Sequence, residues 1–583
     1  MLKDLMQALL RRSGGGAAEP ACADSTAEQR VDQALQRYQC GDAAAAKALC
    51  RAALALDQSQ ARAWSLLARI ALEEDQLALA LECYIPILAM HPDDPEYLVD
   101  AGELNRRAGH LSRAVELSER ALALQPRDGR AWRVRRRALE KLGRLDEALD
   151  CLRHEMKLDP GNIVTHNDLL FMLNRSGATS AEQALAEHRA WAAAHADAFT
   201  AAARTAGNSA EPERVLRVGY ISADFREHAV AYFVEPVLQF HDRTRFQVSC
   251  YFNWERSDAV TDRLRHLADH WRDIAGLSDD AAANLVREDG VDILIDLSGH
   301  TLGNRLLVFA RKPAPIQMTW LGYLGTTGMQ AMDYLITDAC ADPPGVADAD
   351  YSETLLRLPH CRWCYQSPAQ APAVNELPAI ARGFITYGSF NSFSKISGET
   401  LRAWGRLLRR VPHARLCLVG IAEAESCDRA LETLEDEGVF ADRIDAVGFL
   451  TQDAFLEQHR QIDVALDAYP YNGATTACHS LWMGVPVVSL CGRSGAARSG
   501  ASILTNAGLA HLVAQSWDQY IDIAQGLAAD VSALAQLRAS LRGRLRASPL
   551  MDAPGFTRDL EALYRTAWRG WCARQVAARG GLC

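Results

Sequence analysis

The stretch DAYPYNGATTACHSLWMG, residues 467–484, carries residue types in an order that suits anion chemistry. The apolar run IDVAL before it ends at Asp467 and reads as a buried parallel strand, while Leu481 and Trp482 mark a helix following Thr475 and Thr476. Gly473 lets the backbone approach a ligand closely. The hydroxyls and free N–H groups of Thr475 and Thr476 lie where a helix dipole favours negative charge, a place that suits a diphosphate. An ordinary N-capped helix after a Gly turn fits the same residues.

Three further strand ends carry polar chemistry. After VLRVGYIS comes ADFREHAVAYF, which puts Asp224 and His228 in one loop, where an imidazole can act as general base, bond a substrate or be purely structural. After FITYGSF comes NSFSKI, and Lys395 there is either a cation for a leaving phosphate or a surface lysine of the next helix. After PIQMTW comes LGYLGTTG, a glycine-dense loop able to lie against a sugar or phosphate.

The elements that must hold these loops alternate strand and helix from Arg214 onward. Apolar runs at VLRVGYIS, FQVSCYF, VDILIDLSG, PIQMTWLGY and DYLITD form one series; FITYGSF, ARLCLVG, RIDAVGF, IDVALD and PVVSLCG form a second. They predict two doubly wound α/β lobes, 214–382 and 383–575, binding ligand at the carboxyl ends of their strands in the cleft between them. Neither lobe has a G-x-G-x-x-G after its first strand and no P-loop is present, which disfavours a nicotinamide or flavin cofactor. The single D-x-D, Asp348 to Asp350, lies in a loop rich in Pro, Asp and Ala. The single C-x-x-C, Cys361 to Cys364, lacks a second ligand pair, and no metal is expected at either.

The N-terminal third repeats. Pro92, Pro126 and Pro160 recur every 34 residues, as do Ala46, Ala80, Ala114 and Ala148. From Ala61, the residues Trp64, Leu67, Ala68, Ala80, Tyr84 and Pro92 follow the tetratricopeptide pattern. An all-α array is expected over 24–174, with about four repeats across 27–162 and a partial unit or capping helix from Asn162. Residues 175–213 read as a helical linker ending in GNSAEPE. Stacked helix pairs make a superhelix whose concave face holds a peptide or partner protein, or which serves as a dimerisation or spacer arm.

With 583 residues the chain is too long for one core, and its net charge of −11 argues against a nucleic-acid partner. The basic run RVRRRALEKLGR, 133–144, reads as a solvated helix face. No apolar run spans a bilayer, and the basic pair in MLKDLMQALLRRSGGG follows a very short apolar patch, the reverse of a secretory signal. Fifteen cysteines, odd in number and scattered, give no disulfide framework. A cytoplasmic location is expected, with no membrane partner.

Residues 214–573 resemble the catalytic region of the nucleocytoplasmic O-linked N-acetylglucosamine transferase family, including the plant SPINDLY proteins. The motifs are RVGYISADFREH, ILIDLSGHT, RKPAPIQMTWLGYLGTTG, DYLITD, YGSFNSFSKI and YPYNGATTACHSLWMGVP. The resemblance implies a GT-B fold, two Rossmann-like lobes behind an all-α tetratricopeptide superhelix. It implies a metal-independent, inverting enzyme that moves a sugar from a nucleotide donor to Ser or Thr of proteins.

UDP-N-acetylglucosamine is the donor implied first. GDP-fucose is its rival, because YPYNGATTACHSLWMGVP and ITDACADPPG look closer to SPINDLY. A scaffold with a vestigial catalytic half is the reading from another class. The implied partners are the nucleotide sugar, acceptor proteins or peptides held by the repeats, and a second copy in a homodimer. No cofactor is implied.

By the same resemblance His228 lies beside donor sugar and acceptor, and Lys395 on the diphosphate. Thr475 and Thr476 are the phosphate-binding pair, Leu321 and Gly322 touch the sugar, and Phe455 stacks on the base. Asn391, Ser392, Gly473 and His479 complete the donor set, with Asp224, Asp289, His300, Thr301 and Arg498 as secondary candidates. The proton acceptor is His228, a donor phosphate oxygen, or a carboxylate such as Asp289 acting through water. His479 stands where the family usually has Asp or Glu on the ribose, Gln452 where the human-type enzyme has Lys, and Leu324 replaces the Pro of GYPGT. An inward Asn ladder is missing at Leu66, Asp100 and Val134.

Overall fold

The computed structural model describes residues 25–177, 179–203, 207–421 and 423–580, with side chains through 577. The amino-terminal stretch read above for a signal lies outside the described residues. The chain divides into two compact units, residues through Pro160 with Glu423–Ser426, and the remainder.

In the first unit, eight described helices follow one another as pairs: Ala27–Gln39 with Ala43–Leu56, Ala61–Glu73 with Leu77–Met90, Pro95–Arg107 with Leu111–Leu124, and Gly129–Lys141 with Leu145–Leu158. Ala46, Ala80, Ala114 and Ala148 are all fully buried, since only a small side chain lets two helices approach that closely. Pro92, Pro126 and Pro160 each fall two residues past a helix end, where a residue without an N–H stops further winding. The turn inside each pair needs one left-handed residue, and Gly41, Asp75, Gly109 and Gly143 supply it with φ of 82°, 56°, 83° and 70°.

The basic run departs from its expectation at Arg136. That side chain is buried, bonded to Glu155 at 2.9 Å and Glu140 at 2.7 Å, because a charge can enter a helix packing only with its counter-charge. The helix Ile163–Leu173, read from sequence as the end of the array, groups with the second unit.

The second unit holds two parallel sheets. The first runs β1 (Leu216–Ser222), β2 (Phe246–Phe252), β3 (His270–Asp273), β4 (Ile293–Asp296), β5 (Ile316–Thr319), β6 (Tyr334–Asp338) and β7 (Thr354–Leu358), in the order β3-β2-β1-β4-β5-β6-β7. The second runs β8 (Thr386–Ser389), β9 (Arg415–Val419), β10 (Ile444–Val447), β11 (Val464–Leu466), β12 (Val487–Leu490) and β13 (Val513–Ala514), in the order β10-β9-β8-β11-β12-β13. In each sheet the order reverses beside the first strand, leaving a crevice between the carboxyl ends of β1 and β4 and of β8 and β11.

The inner strands are buried, as sheets covered by helices on both faces must be, whereas the edge strands β3 and β10 have no buried residue. The carboxy-terminal helix Ala553–Gly580, expected with the second lobe, returns to the first. Tyr564 Oη meets Tyr220 Oη at 3.1 Å, Glu561 bonds His241 at 2.9 Å, and Trp568 Nε1 donates to the Glu211 carbonyl at 3.0 Å.

Among the described residues no helix is long and apolar enough to cross a membrane. Among them, too, no three His, Cys, Asp or Glu side chains are grouped to hold a metal. Asp348 is ion-paired with Arg357 at 2.9 Å. Cys361 and Cys364 are buried, with the Cys361 thiol pushed up to about 12 by desolvation.

Candidate active site

The loop after β11 is organised by the carboxylate of Asp467. It accepts N–H bonds from Ala468 and Gly473 at 2.9 Å each, the Asn391 side-chain amide at 3.2 Å and the Ser489 hydroxyl at 2.7 Å. Burial lifts its pKa to about 6 against the pull of those donors. Gly473 then starts the helix Ala474–Trp482 as an N-cap with no side-chain cap bond, so its first N–H groups are not taken up there. A Cβ at Gly473 would lie 1.9 Å from Thr476 Oγ1 and 2.1 Å from Asn391 Oδ1, which is why glycine stands at that point.

Lys395 is brought to the same place from β8. Thr476 Oγ1 donates to Asn391 Oδ1 at 3.2 Å, and Ile396 pairs with Pro470, so the two loops interlock around the lysine. Its ammonium lies 4.6 Å from the centre of the Tyr471 ring. Desolvation, with the neighbouring Arg175 guanidinium, lowers its pKa to about 8, while Asp467 acts in the other direction. Ser392 is exposed, its hydroxyl 3.0 Å from that of Ser394. Thr475 is partly exposed in the first turn of the helix.

The first lobe presents His228 and the glycine-dense loop. The His228 side chain is 38% exposed, and its Nδ1 lies 3.5 Å from buried Asp224 and 3.3 Å from the Val230 N–H. Burial lowers the imidazole pKa and raises that of the carboxyl, so the ring is neutral near pH 7 and can accept a proton. Asp296, closing β4, accepts from Thr319 Oγ1 at 2.8 Å and from the Ser298 and Gly299 N–H groups at 3.1 and 2.8 Å. Beside that turn Leu321 is held left-handed at φ 78°, and a Cβ on Gly322 would meet the Leu297 carbonyl at 1.9 Å. A leucine in that conformation is strained, and such strain gathers at functional loops. Glu353 pins the far end of the loop through Thr326 Oγ1 and the Thr327 N–H at 2.6 and 2.7 Å.

Phe455 belongs to an aromatic group with Phe390, His459 and His479, at ring separations of 5.4, 5.0 and 6.2 Å. Phe455 is partly exposed, whereas His459 is stacked on Phe390 at 3.6 Å and fully buried. His479 is buried too, its Nδ1 bonded to Tyr365 Oη at 2.7 Å, and burial lowers its pKa to about 4. It is a neutral group where the resemblance implied an acid.

Four secondary candidates are engaged elsewhere. Asp289 precedes β4, at the amino-terminal edge of the sheet opposite the crevice, and is bound to Arg272 at 2.9 Å and the Tyr251 hydroxyl at 2.8 Å. His300 spends one ring nitrogen on Asn167 at 3.0 Å and the other on the Thr327 carbonyl at 2.9 Å, while Thr301 donates to the Ser298 carbonyl at 2.7 Å. Arg498 ties the lobes, donating to the Cys340 carbonyl at 2.9 Å and the Gly492 carbonyl at 3.1 Å.

Sequence reasoning missed Asp467 as the brace of its own loop, Asp296 as its counterpart, and Arg175 and Tyr471 beside the lysine. An acid ending an otherwise apolar strand was the available signal for the two carboxylates; Arg175 had none.

Two doubly wound lobes facing each other across their switch points, preceded in the chain by a helical repeat array, define the GT-B architecture. The family model described as glycosyl transferase family 41 matches residues 166–366 and 373–560, and the chain belongs to that family. A tetratricopeptide-repeat model matches residues 37–98.

The SPINDLY protein of Arabidopsis thaliana, named a probable UDP-N-acetylglucosamine–peptide N-acetylglucosaminyltransferase, is 42% identical over 381 residues, 63% of this chain and 41% of that one. Its namesake in Solanum lycopersicum is 39% identical over 430 residues, 72% of this chain and 46% of that one. The chain thus spans less than half the length of these relatives. A solved point mutant of the Thermobaculum terrenum O-GlcNAc transferase is 37% identical, with a TM-score of 0.78 covering 89% of this chain and 99% of that one.

Proposed function

We propose that the chain transfers a sugar from a nucleotide diphosphate donor to Ser or Thr hydroxyls of proteins, with UDP-N-acetylglucosamine the first donor. The observation that carries this reading is the interlocking of the Lys395 loop with the open helix start at Gly473–Thr476, through Asn391 and the Asp467 brace. As the hydroxyl oxygen attacks the anomeric carbon, the bond to the diphosphate breaks and charge builds on the leaving phosphate. A cation and a helix amino end stabilise that charge more than they stabilise the donor's. The hydroxyl proton passes to a ring nitrogen of His228 or to a donor phosphate oxygen.

Phe455 takes the base and the Leu321–Gly322 turn the sugar. Acceptor proteins bind the repeat array. No cofactor or metal has a part in these steps, and the thirteen cysteines among the described residues are all free, as suits a reducing cytoplasm.

GDP-fucose remains the second donor because His479 offers a neutral imidazole, already bonded to Tyr365, in place of a ribose-binding carboxylate. Equilibrium binding of UDP and GDP, followed by transfer from each nucleotide sugar to a peptide library, separates the two. UDP preference with N-acetylglucosamine transfer supports the first donor, and GDP preference with fucose transfer replaces it. In Lys395→Ala, transfer and donor hydrolysis should fall by at least a hundredfold with the melting temperature kept, a loss of ~3 kcal/mol in transition-state stabilisation. Unchanged turnover, or no reaction of the unaltered chain with any nucleotide sugar, would leave a scaffold.

A further inference from the structure

Arg175 follows the helix Ile163–Leu173 and is buried. Its guanidinium stacks 5.4 Å from the centre of the Phe171 ring, and Phe171 in turn meets Tyr471 edge-on at 6.2 Å. One arm, Nη2, donates to the carbonyl of Ser394 at 2.5 Å. Ser394 is the residue before Lys395, inside the short helical turn Phe393–Lys395. The arginine therefore grips the backbone of the turn that carries the lysine, while the lysine's ammonium lies over the Tyr471 ring.

We propose that Arg175 is a positioning residue for Lys395, fixing the Phe393–Lys395 turn through the Ser394 carbonyl and placing a second fixed positive charge beside the ammonium. This rests on the glycosyl-transfer reading above. The charged groups acting on Lys395 are Arg175, which disfavours the protonated lysine, and Asp467, which favours it, as does the face of the Tyr471 ring beneath the ammonium. A neighbouring cation that never loses its proton makes the ammonium readier to share its charge with an arriving diphosphate. It also adds to desolvation, the larger cause, in bringing the lysine's deprotonation down to about 8, close to working pH. Arginine suits the task because its planar fork can stack on Phe171 and bond a carbonyl while staying charged.

The test measures the lysine itself and then the reaction, on the full chain. Lysines are dimethylated with 13C-formaldehyde and titrated by NMR, the Lys395 signal being the one absent from Lys395→Arg. In the unaltered chain it should titrate near pH 8, and in Arg175→Met at least half a pH unit higher, because losing a neighbouring positive charge favours protonation. Arg175→Lys keeps the charge and loses the fork, so its titration should stay near that of the unaltered chain. In transfer assays kcat should fall tenfold or more in both variants with acceptor KM little changed, and the basic limb of the Arg175→Met profile should move to higher pH.

A Lys395 titration unmoved in folded Arg175→Met overturns the proposal, as does a kcat equal to that of the unaltered chain. Should Arg175→Met fail to fold, Arg175→Lys decides alone. Its titration near pH 8 with tenfold lower kcat supports the proposal, and unchanged kcat overturns it. Because the titration needs no donor, a chain that transfers no sugar defeats the functional reading while the effect of Arg175 on Lys395 is still measured.

Discussion

Asp296 and Asp467 occupy equivalent places in the two lobes. Asp296 ends, and Asp467 directly follows, the strand that pairs with its lobe's first strand at the switch point, β4 with β1 and β11 with β8. Each accepts backbone N–H bonds from the turn that follows and a hydroxyl from the next strand over, Thr319 or Ser489. Both are buried, and desolvation raises both to about 6. One device thus holds both walls of the cleft: a buried acceptor with several lone pairs that a neutral side chain cannot reproduce.

As pH falls through about 6, protonation takes one acceptor site from each carboxyl's set of loop hydrogen bonds, while the fold as a whole favours the neutral form over the unfolded chain. Affinity for the intact nucleotide sugar is expected to weaken below that pH. In Asp467→Asn it should already be down by about tenfold at pH 7.5, in keeping with ~1.5 kcal/mol for a bond to a charged acceptor. Calorimetric titration between pH 5 and 8 checks both, and an Asp467→Asn variant that binds like the unaltered chain refutes the bracing role.

Gly473 gives a sharper steric prediction. Its φ of −91° suits any residue, so Gly473→Ala meets no backbone objection and acts only through its Cβ. That atom would overlap Thr476 Oγ1 and Asn391 Oδ1, pushing apart the helix start and the lysine loop. Donor affinity should drop at least tenfold, with a stability loss of about 1–3 kcal/mol. Unaltered donor binding in a folded Gly473→Ala chain would mean that the two loops need not touch to hold the diphosphate.

What the sequence made legible was whatever is written locally. Ten strands lie in apolar runs, and the 34-residue step of small and turn residues gave the repeats. The edge strands β3, His270–Asp273, and β13, Val513–Ala514, were missed: the first is the polar HWRD and the second only two residues long. β7, Thr354–Leu358, was missed as well, although its sequence TLLRL is apolar enough to have been read.

Lys395 and Asn391 were singled out because each sits just past a strand end in a polar loop, and Thr476 because it lies in the first turn of a helix after a Gly turn; the structure brings the three together. Arg175 was hidden by distance, since it reaches its carbonyl acceptor across 219 positions. Asp289 was misjudged because its closeness in sequence to β4 does not say which end of the strand it faces.

The repeat turns carry a prediction for stability. Asp75 occupies the left-handed position that Gly41, Gly109 and Gly143 fill in the other repeats, at φ 56°. A side chain there costs energy that glycine avoids, partly offset by the greater freedom of glycine in the unfolded chain. Asp75→Gly should stabilise the array by about 0.5–1 kcal/mol and leave donor binding alone, as denaturant titration would show. A destabilised variant would mean that the Asp75 side chain makes a contribution its backbone does not reveal.

The histidines of the second unit set its acid sensitivity. His188, on the helix Ala181–His195, bonds Tyr323 Oη at 2.7 Å and the Ala184 carbonyl at 2.6 Å, and His300 and His166 lie nearby. Burial holds His166 and His188 at about 4 and His300 well below its usual value. A depressed histidine stabilises the fold above its unfolded pKa of about 6.5, and that stability is lost as pH falls toward 4. The raised carboxyls of Asp296 and Asp467 act oppositely, since their contribution is lost as pH rises through about 6.

The sign of any one group is therefore best read from a difference. His188→Gln can keep the bond to Tyr323 while removing a titrating site. At pH 5, unfolding of this variant should take up nearly one proton fewer than unfolding of the unaltered chain. The slope of unfolding free energy against pH should flatten by about 1.4 kcal/mol per pH unit. If the two slopes coincide between pH 4.5 and 6, His188 is not a buried neutral imidazole in the native protein.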